Sequence, residues 1–178
     1  MAGDEKLRLF CALRLGGETL DRLVGWQKRE LRGGRVVPRA NLHATLAFLG
    51  SQTAGSVEGI AAALRDAAGG GSEIRFVLRG YRETRSVGML TFTDDGGRGA
   101  ALAERLFDGL EALGVYRREA RPWLPHVTVL RFRERPGLRP ELPELAEVMP
   151  SDAAVFMSRL RPGGAQYDVL EAVPLGIA

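Results

Sequence analysis

An α+β fold with a duplicated architecture, its halves related by an approximate two-fold axis, is predicted by three features of the 178-residue sequence. One order of elements (strand, helix, histidine strand, helix, strand) occurs once in each half. The chain's two histidines fall at corresponding places in that order, about 35 and about 40 residues after the start of a first strand. Each is followed by threonine two residues on and by an aliphatic residue three residues on, in His43-Ala44-Thr45-Leu46 and His126-Val127-Thr128-Val129. A two-fold would set equivalent elements face to face across a central groove and bring the two histidines together.

The first half opens on Leu7–Leu15, a short apolar run suited to a buried strand. Leu20, Leu23, Val24, Trp26 and Leu31 then recur near helical spacing, and Gly33-Gly34 should end that helix. The first histidine strand spans Leu42 to Phe48 and should break at Gly50-Ser51. A second helix is expected over Ser56–Ala68, stopped by Gly69-Gly70-Gly71. From Ser72 the chain alternates as a half-buried strand does, with Ile74, Phe76 and Leu78 on one side.

Ser86–Phe92 begins the second half as a strand. Leu102, Leu106, Leu110 and Leu113 mark an amphipathic helix closed by Gly114. A proline-marked approach leads to the second histidine strand, His126–Arg131. The acidic stretch Pro140–Val148 is expected to be weakly helical. Two last strands joined at Gly163-Gly164 form a hairpin.

Hydrophobic residues at 45% and charged residues at 26% are those of a soluble globular protein. No apolar run is long enough to span a membrane. The first residues carry neither a basic leader nor a cleavage site, so no signal peptide is expected and the protein is placed in the cytoplasm. Cys11 is the single cysteine; a disulfide framework and a cysteine metal cluster are excluded, and a buried inert thiol is expected. The net charge of +3 is mild, but seven arginines lie between Arg117 and Arg139 against Glu119 and Glu134. A shorter basic run passes through Arg75, Arg79, Arg82 and Arg85. Such runs decorate solvated faces or attract phosphate, and charge alone does not choose.

The histidines decide more. On a strand, residues i and i+2 share a face, so His43 projects with Thr45 and His126 with Thr128. Leu42, Ala44, Leu46, Val127 and Val129 turn to the packed side. A lone His-x-Thr is more often structural. With seven threonines in the chain, threonine at +2 from both histidines has a chance probability on the order of one in several hundred. Two imidazoles and two hydroxyls facing one groove suit phosphoryl chemistry. One imidazole can take a proton from the nucleophile while the other, protonated, delivers one to the leaving oxygen. The hydroxyls can donate to the non-bridging oxygens. No metal or other cofactor is expected, because two histidines without neighbouring cysteine or acidic ligands make a poor metal site.

The two motifs, Asn41–Gly50 and Pro125–Arg131, resemble the signatures of the two-histidine phosphoesterase superfamily. Within it the chain is most similar to the RNA 2′,3′-cyclic phosphodiesterases, also called the 2′-5′ RNA ligase family. The terminal segments around Phe10 and Tyr167 are similar to family termini too, so the resemblance covers nearly all of residues 1–178, read as a single bilobal domain. It implies antiparallel sheets facing a central cleft with helices outside. It also implies hydrolysis of RNA 2′,3′-cyclic phosphate ends to 2′-phosphates, His43 as proton donor and His126 as proton acceptor; the residues alone leave that division open. Thr45, Thr128 and Arg131 would hold the phosphate. At +5 from His126, Arg131 should fall on the wrong face by strict alternation unless the strand twists or ends. Phe48, at +5 from His43, could stack on a base or belong to the core. Phe10, Ser158 and Tyr167 are expected to pack. The partner would be an RNA or oligonucleotide with a cyclic phosphate end, bound by a monomer. Competing readings are a phosphodiesterase for small cyclic nucleotides or 2′-5′ oligonucleotides, a non-catalytic RNA-binding protein, and a scaffold; the basic run from Arg117 to Arg139 leans toward polymer RNA.

Overall fold

The computed structural model describes residues 5–69 and 73–175. Its elements run β1 (Lys6–Arg14), α1 (Gly17–Glu30), β2 (Arg35–Val36), β3 (His43–Thr53), α2 (Val57–Gly69), β4 (Arg75–Glu83), β5 (Val87–Asp95), α3 (Arg98–Ala112), β6 (His126–Arg131), β7 (Asp152–Arg161) and β8 (Gly164–Pro174). All strand pairs are antiparallel, in the order β4-β5-β6-β3-β1-β7-β8, with β2 also on β6. The histidine strands β3 and β6 meet through a single residue pair, Ala44 and Val127. That seam divides a curled sheet into two lobes, β4-β5-β6 and β3-β1-β7-β8. The fold is therefore the expected bilobal α+β arrangement, with the seam on the approximate two-fold.

Strand β1 reads as a continuous apolar run because it is covered on both faces. Leu9, Cys11 and Leu13 join the main core under the helices, while Phe10 and Ala12 join a small cluster with Ala154 and Phe156 on the opposite face. Helix α1 buries Leu23, Trp26 and Gln27. The Gln27 amide donates to the carbonyls of Val37 (3.0 Å) and Val129 (2.9 Å). It thereby ties α1 to the stretch that β2 and β6 frame. Leu102, Leu106 and Leu110 of α3 are buried as their spacing predicts, with α2 packed alongside. Leu113 lies past the helix end and is exposed.

Three local expectations are corrected. Helix α1 stops at Glu30, with Leu31 already extended, ahead of Gly33-Gly34. Strand β3 does not break at Gly50 but runs on to Thr53, because Gly50 takes φ +65° at a bulge and keeps pairing with Leu9. The acidic stretch 140–148 is not helical among the described residues. Pro140 and Pro143 offer no amide to a helical ladder, and carbonyls there are taken from outside. The Trp26 indole donates to Glu141 (2.6 Å) and Arg22 to Glu144 (3.5 Å), while Val148 pairs with Phe76 at the edge of β4. The second half thus lacks its second helix, and the duplication is incomplete there. Ser72, and the stop expected at Gly70 and Gly71, lie outside the described residues.

Candidate active site

Pairing of Ala44 with Val127 sets the register of the seam. In an antiparallel pair, stepping one residue either way places His43 level with Thr128 and Thr45 level with His126. All four side chains leave the face opposite Ala44 and Val127, each about 1% exposed in the core beneath. The result is a two-by-two patch of two imidazoles and two hydroxyls, with like residues on its diagonals.

Beyond the patch, a bulge repeats in both strands. Leu46 is the extra residue in β3 opposite β1, and Val129 the extra residue in β6 opposite β5. Each bulge buries two successive residues, Leu46-Ala47 and Val129-Leu130, and so reverses the parity of the residues beyond it. Phe48 and Arg131, both at +5 from their histidines, consequently turn to the same face as the histidines and line the cleft. The core alternative for Phe48 is thereby corrected: it is half exposed, with the Arg8 guanidinium 5.0 Å from its ring centre.

Each imidazole is pinned by the carbonyl two residues before it. His43 Nδ1 lies 2.7 Å from the oxygen of Asn41, and His126 Nδ1 lies 2.9 Å from that of Leu124. A carbonyl only accepts, so both Nδ1 atoms carry hydrogen and both Nε2 atoms are left for chemistry. His43 Nε2 is 2.9 Å from the Thr45 hydroxyl, which donates to it when the ring is neutral. Beyond these bonds the two sites differ. Around His43 stand Phe10 (5.1 Å between ring centres), Tyr167 (5.6 Å) and Phe156 (6.1 Å). Burial lowers His43 from its ordinary 6.5 to about 4, opposed by the Asn41 bond and assisted by the positive fields of His126 and Arg131. The free protein at neutral pH therefore holds His43 uncharged.

The cleft has a volume of about 550 Å³, within the range of small-molecule sites. His43, Thr45 and Thr128 line it together with arginines 8, 35, 131 and 161, and among the described residues neither a carboxylate nor His126 is part of that lining. Of these arginines only Arg131 was expected from the sequence. Apart from Arg131, neither basic run contributes an arginine to the described lining. Arg118 is spent on Glu104, Asp108 and Glu111, Arg121 on Glu119, and Arg75 on Glu73 and Glu147. Arg8 could have been found by stepping two residues back from Phe10, and Arg161 from its place beside the Gly163-Gly164 turn. Arg35 carries no local signal. Phe10 packs as expected, though against His43 itself, and Ser158 and Tyr167 line the cleft. Burial pushes the Cys11 thiol up to about 12, which keeps it protonated and inert.

Among the described residues no three His, Cys, Asp or Glu side chains gather at metal-binding distances. No helix there is long and apolar enough to cross a membrane. A model of the 2′-5′ RNA ligase superfamily matches residues 18–161. The chain is similar in structure to TT0787 of Thermus thermophilus, with 30% identity, a TM-score of 0.81, and coverage of 95% of this chain and 98% of that one. It is also similar to E. coli LigT in its apo form (23% identity, TM-score 0.83, coverage 96% and 98%) and complexed with 3′-AMP (22%, 0.82, 96% and 99%). No curated protein sequence matches it.

Proposed function

The chain belongs to the 2′-5′ RNA ligase superfamily, and from that membership we propose that it opens 2′,3′-cyclic phosphates at RNA ends by paired-histidine acid–base catalysis. One observation carries the reading: two imidazoles, each pinned through Nδ1, stand on adjacent strands beside two threonines, and His43, Thr45 and Thr128 line a cleft with four arginines and, among its described lining residues, no acid.

His126 Nε2 takes a proton from water as the water oxygen attacks phosphorus. The bond from phosphorus to the 3′ oxygen breaks, and His43 Nε2–H protonates that oxygen, leaving a 2′-phosphate and a free 3′ hydroxyl. His43 must be charged at that moment. The bound phosphate anion supplies the field that raises its pKa, and a ring that resists protonation when free is a strong acid once protonated. Thr45, Thr128 and Arg131 donate to the non-bridging oxygens as charge builds there. Phe48 offers a ring for the terminal base. With an RNA 5′ hydroxyl in place of water, the same displacement forms a 2′-5′ linkage. The protein is read as a monomer of the cytoplasm, working without metal or cofactor. The fold relative LigT has been crystallised with 3′-AMP, which supports a nucleotide in the cleft. A non-catalytic RNA-binding protein would have no use for two imidazoles on adjacent strands, each fixed by an Nδ1 bond that leaves Nε2 for chemistry.

Incubation with an RNA oligonucleotide ending in a 2′,3′-cyclic phosphate, in EDTA, should yield a 2′-phosphate end. His126→Ala should lower turnover by about 10²- to 10⁴-fold. Absence of a 2′-phosphate product, or turnover intact in His126→Ala, contradicts the reading.

A further inference from the structure

Arg131 and Arg35 are direct cross-strand partners on β6 and β2, and both line the cleft. Like charges placed opposite one another on a sheet repel, and no carboxylate among the described lining residues offsets this pair. Arg35 reaches from there to the β7–β8 turn. Its Nη1 donates to the carbonyl of Gly163 at 3.2 Å, and its guanidinium lies against Gly164, where an added Cβ would sit 3.3 Å from Nη1. Gly164 has φ +126°, a conformation that favours glycine. Across the hairpin, Gly164 pairs with Arg161, a third cleft arginine, exposed and, among the described residues, held by a 3.4 Å bond to Gln166. A second tie fixes the turn, the Asn41 amide donating to Ala165 at 2.8 Å. Arg131, Arg35 and Arg161 thus form a row leading from the histidine patch to a clamped hairpin.

One cyclic phosphate carries one negative charge, and the histidines, threonines and Arg131 suffice for it. We propose that Arg35 and Arg161 form a second phosphate subsite, which takes the phosphate on the 5′ oxygen of the nucleotide whose 3′ end lies at the histidines. The inference rests on the nucleotide reading of the cleft and names the substrate class more narrowly: a nucleotide bearing phosphate at both ends. That 5′ phosphate can be the free phosphate of a mononucleotide or the phosphodiester to the preceding nucleotide.

Binding of inert ligands separates these cases without relying on turnover. Adenosine 3′-monophosphate, adenosine 3′,5′-bisphosphate and a diadenosine ending in a 3′-phosphate would be titrated calorimetrically into the protein, Arg161→Ala and Arg35→Ala. The two ligands with a second phosphate should bind about ten- to hundredfold more tightly than the monophosphate. That ratio should fall toward one in both variants. An advantage for the diadenosine alone assigns the subsite to the phosphodiester; an advantage for the bisphosphate alone assigns it to a free terminal phosphate. Arg161→Ala leaves the Gly163 and Ala165 ties in place, so a loosened hairpin cannot account for its effect. Equal binding of all three ligands, or a ratio intact in both variants, overturns the subsite while leaving the cleft a nucleotide site. If none of the three binds, subsite and nucleotide reading fall together.

Discussion

His43 and His126 begin from the same bond, an Nδ1–H given to the carbonyl two residues back. Three aromatic rings then crowd His43. With its folded pKa near 4 against an ordinary 6.5, the unfolded chain binds more protons than the folded one between those values. His43 therefore costs stability progressively as pH falls from about 6.5 toward 4. A bound phosphate works the other way by favouring the imidazolium. Proton NMR of the His43 ring should show a midpoint near 4 in the free protein and a higher one with 3′-AMP. An unchanged midpoint in the bound form would remove the reason His43 can act as an acid. At this scale His43, Thr45, His126 and Thr128 were all legible, because strand alternation needs only local sequence. The aromatic surroundings were not: Phe156 and Tyr167 reach His43 from β7 and β8, more than a hundred residues away.

Bulges account for most of what local pattern reading misplaced. Strict alternation sends Phe48 and Arg131 to the core face, and the extra residues Leu46 and Val129 return both to the cleft. Nothing distinguishes these aliphatic residues from their neighbours in sequence, since a bulge is set by the partner strand's register. The stretch after β6 failed as a helix for a similar reason, its carbonyls being claimed by α1. A buried carboxylate holds the start of that stretch. Glu83 accepts from the Tyr81 hydroxyl (2.8 Å) and from the amides of Gly137 (2.8 Å) and Leu138 (3.1 Å), with Arg135 at 3.5 Å. Burial pushes the Glu83 carboxyl up, but these donors and Arg135 outweigh it and hold it below its ordinary 4.5. A depressed carboxylate stabilises the fold above its unfolded pKa, and that contribution is lost as pH falls through the folded value. Glu83→Gln should cost about 1–3 kcal/mol at pH 7. By urea unfolding, the gap from the unaltered protein should narrow in acid below pH 4; an equal gap at both pH values would contradict the role given to its charge.

Two sheet halves that meet at one residue pair bring the two histidine motifs together at their seam, and this was the most legible feature of the molecule. The repeated order of elements and the matched His-x-Thr motifs required a two-fold, and a two-fold required the histidines to meet. What breaks the symmetry was not legible. One lobe brings aromatic rings to its histidine, and the other brings Arg131, with Arg35 beside it, to the shared cleft. Those differences depend on which distant strands flank β3 and β6. They give the two histidines of one symmetric patch unlike surroundings, and paired action at a single phosphorus is the central claim. Its most direct test is the pH dependence of kcat on a 2′,3′-cyclic phosphate end, with the chemical step shown to limit turnover. The expected profile is a bell belonging to the pair, whose rising limb disappears in His126→Ala and whose falling limb disappears in His43→Ala. A flat profile, or limbs that survive both substitutions, would contradict it.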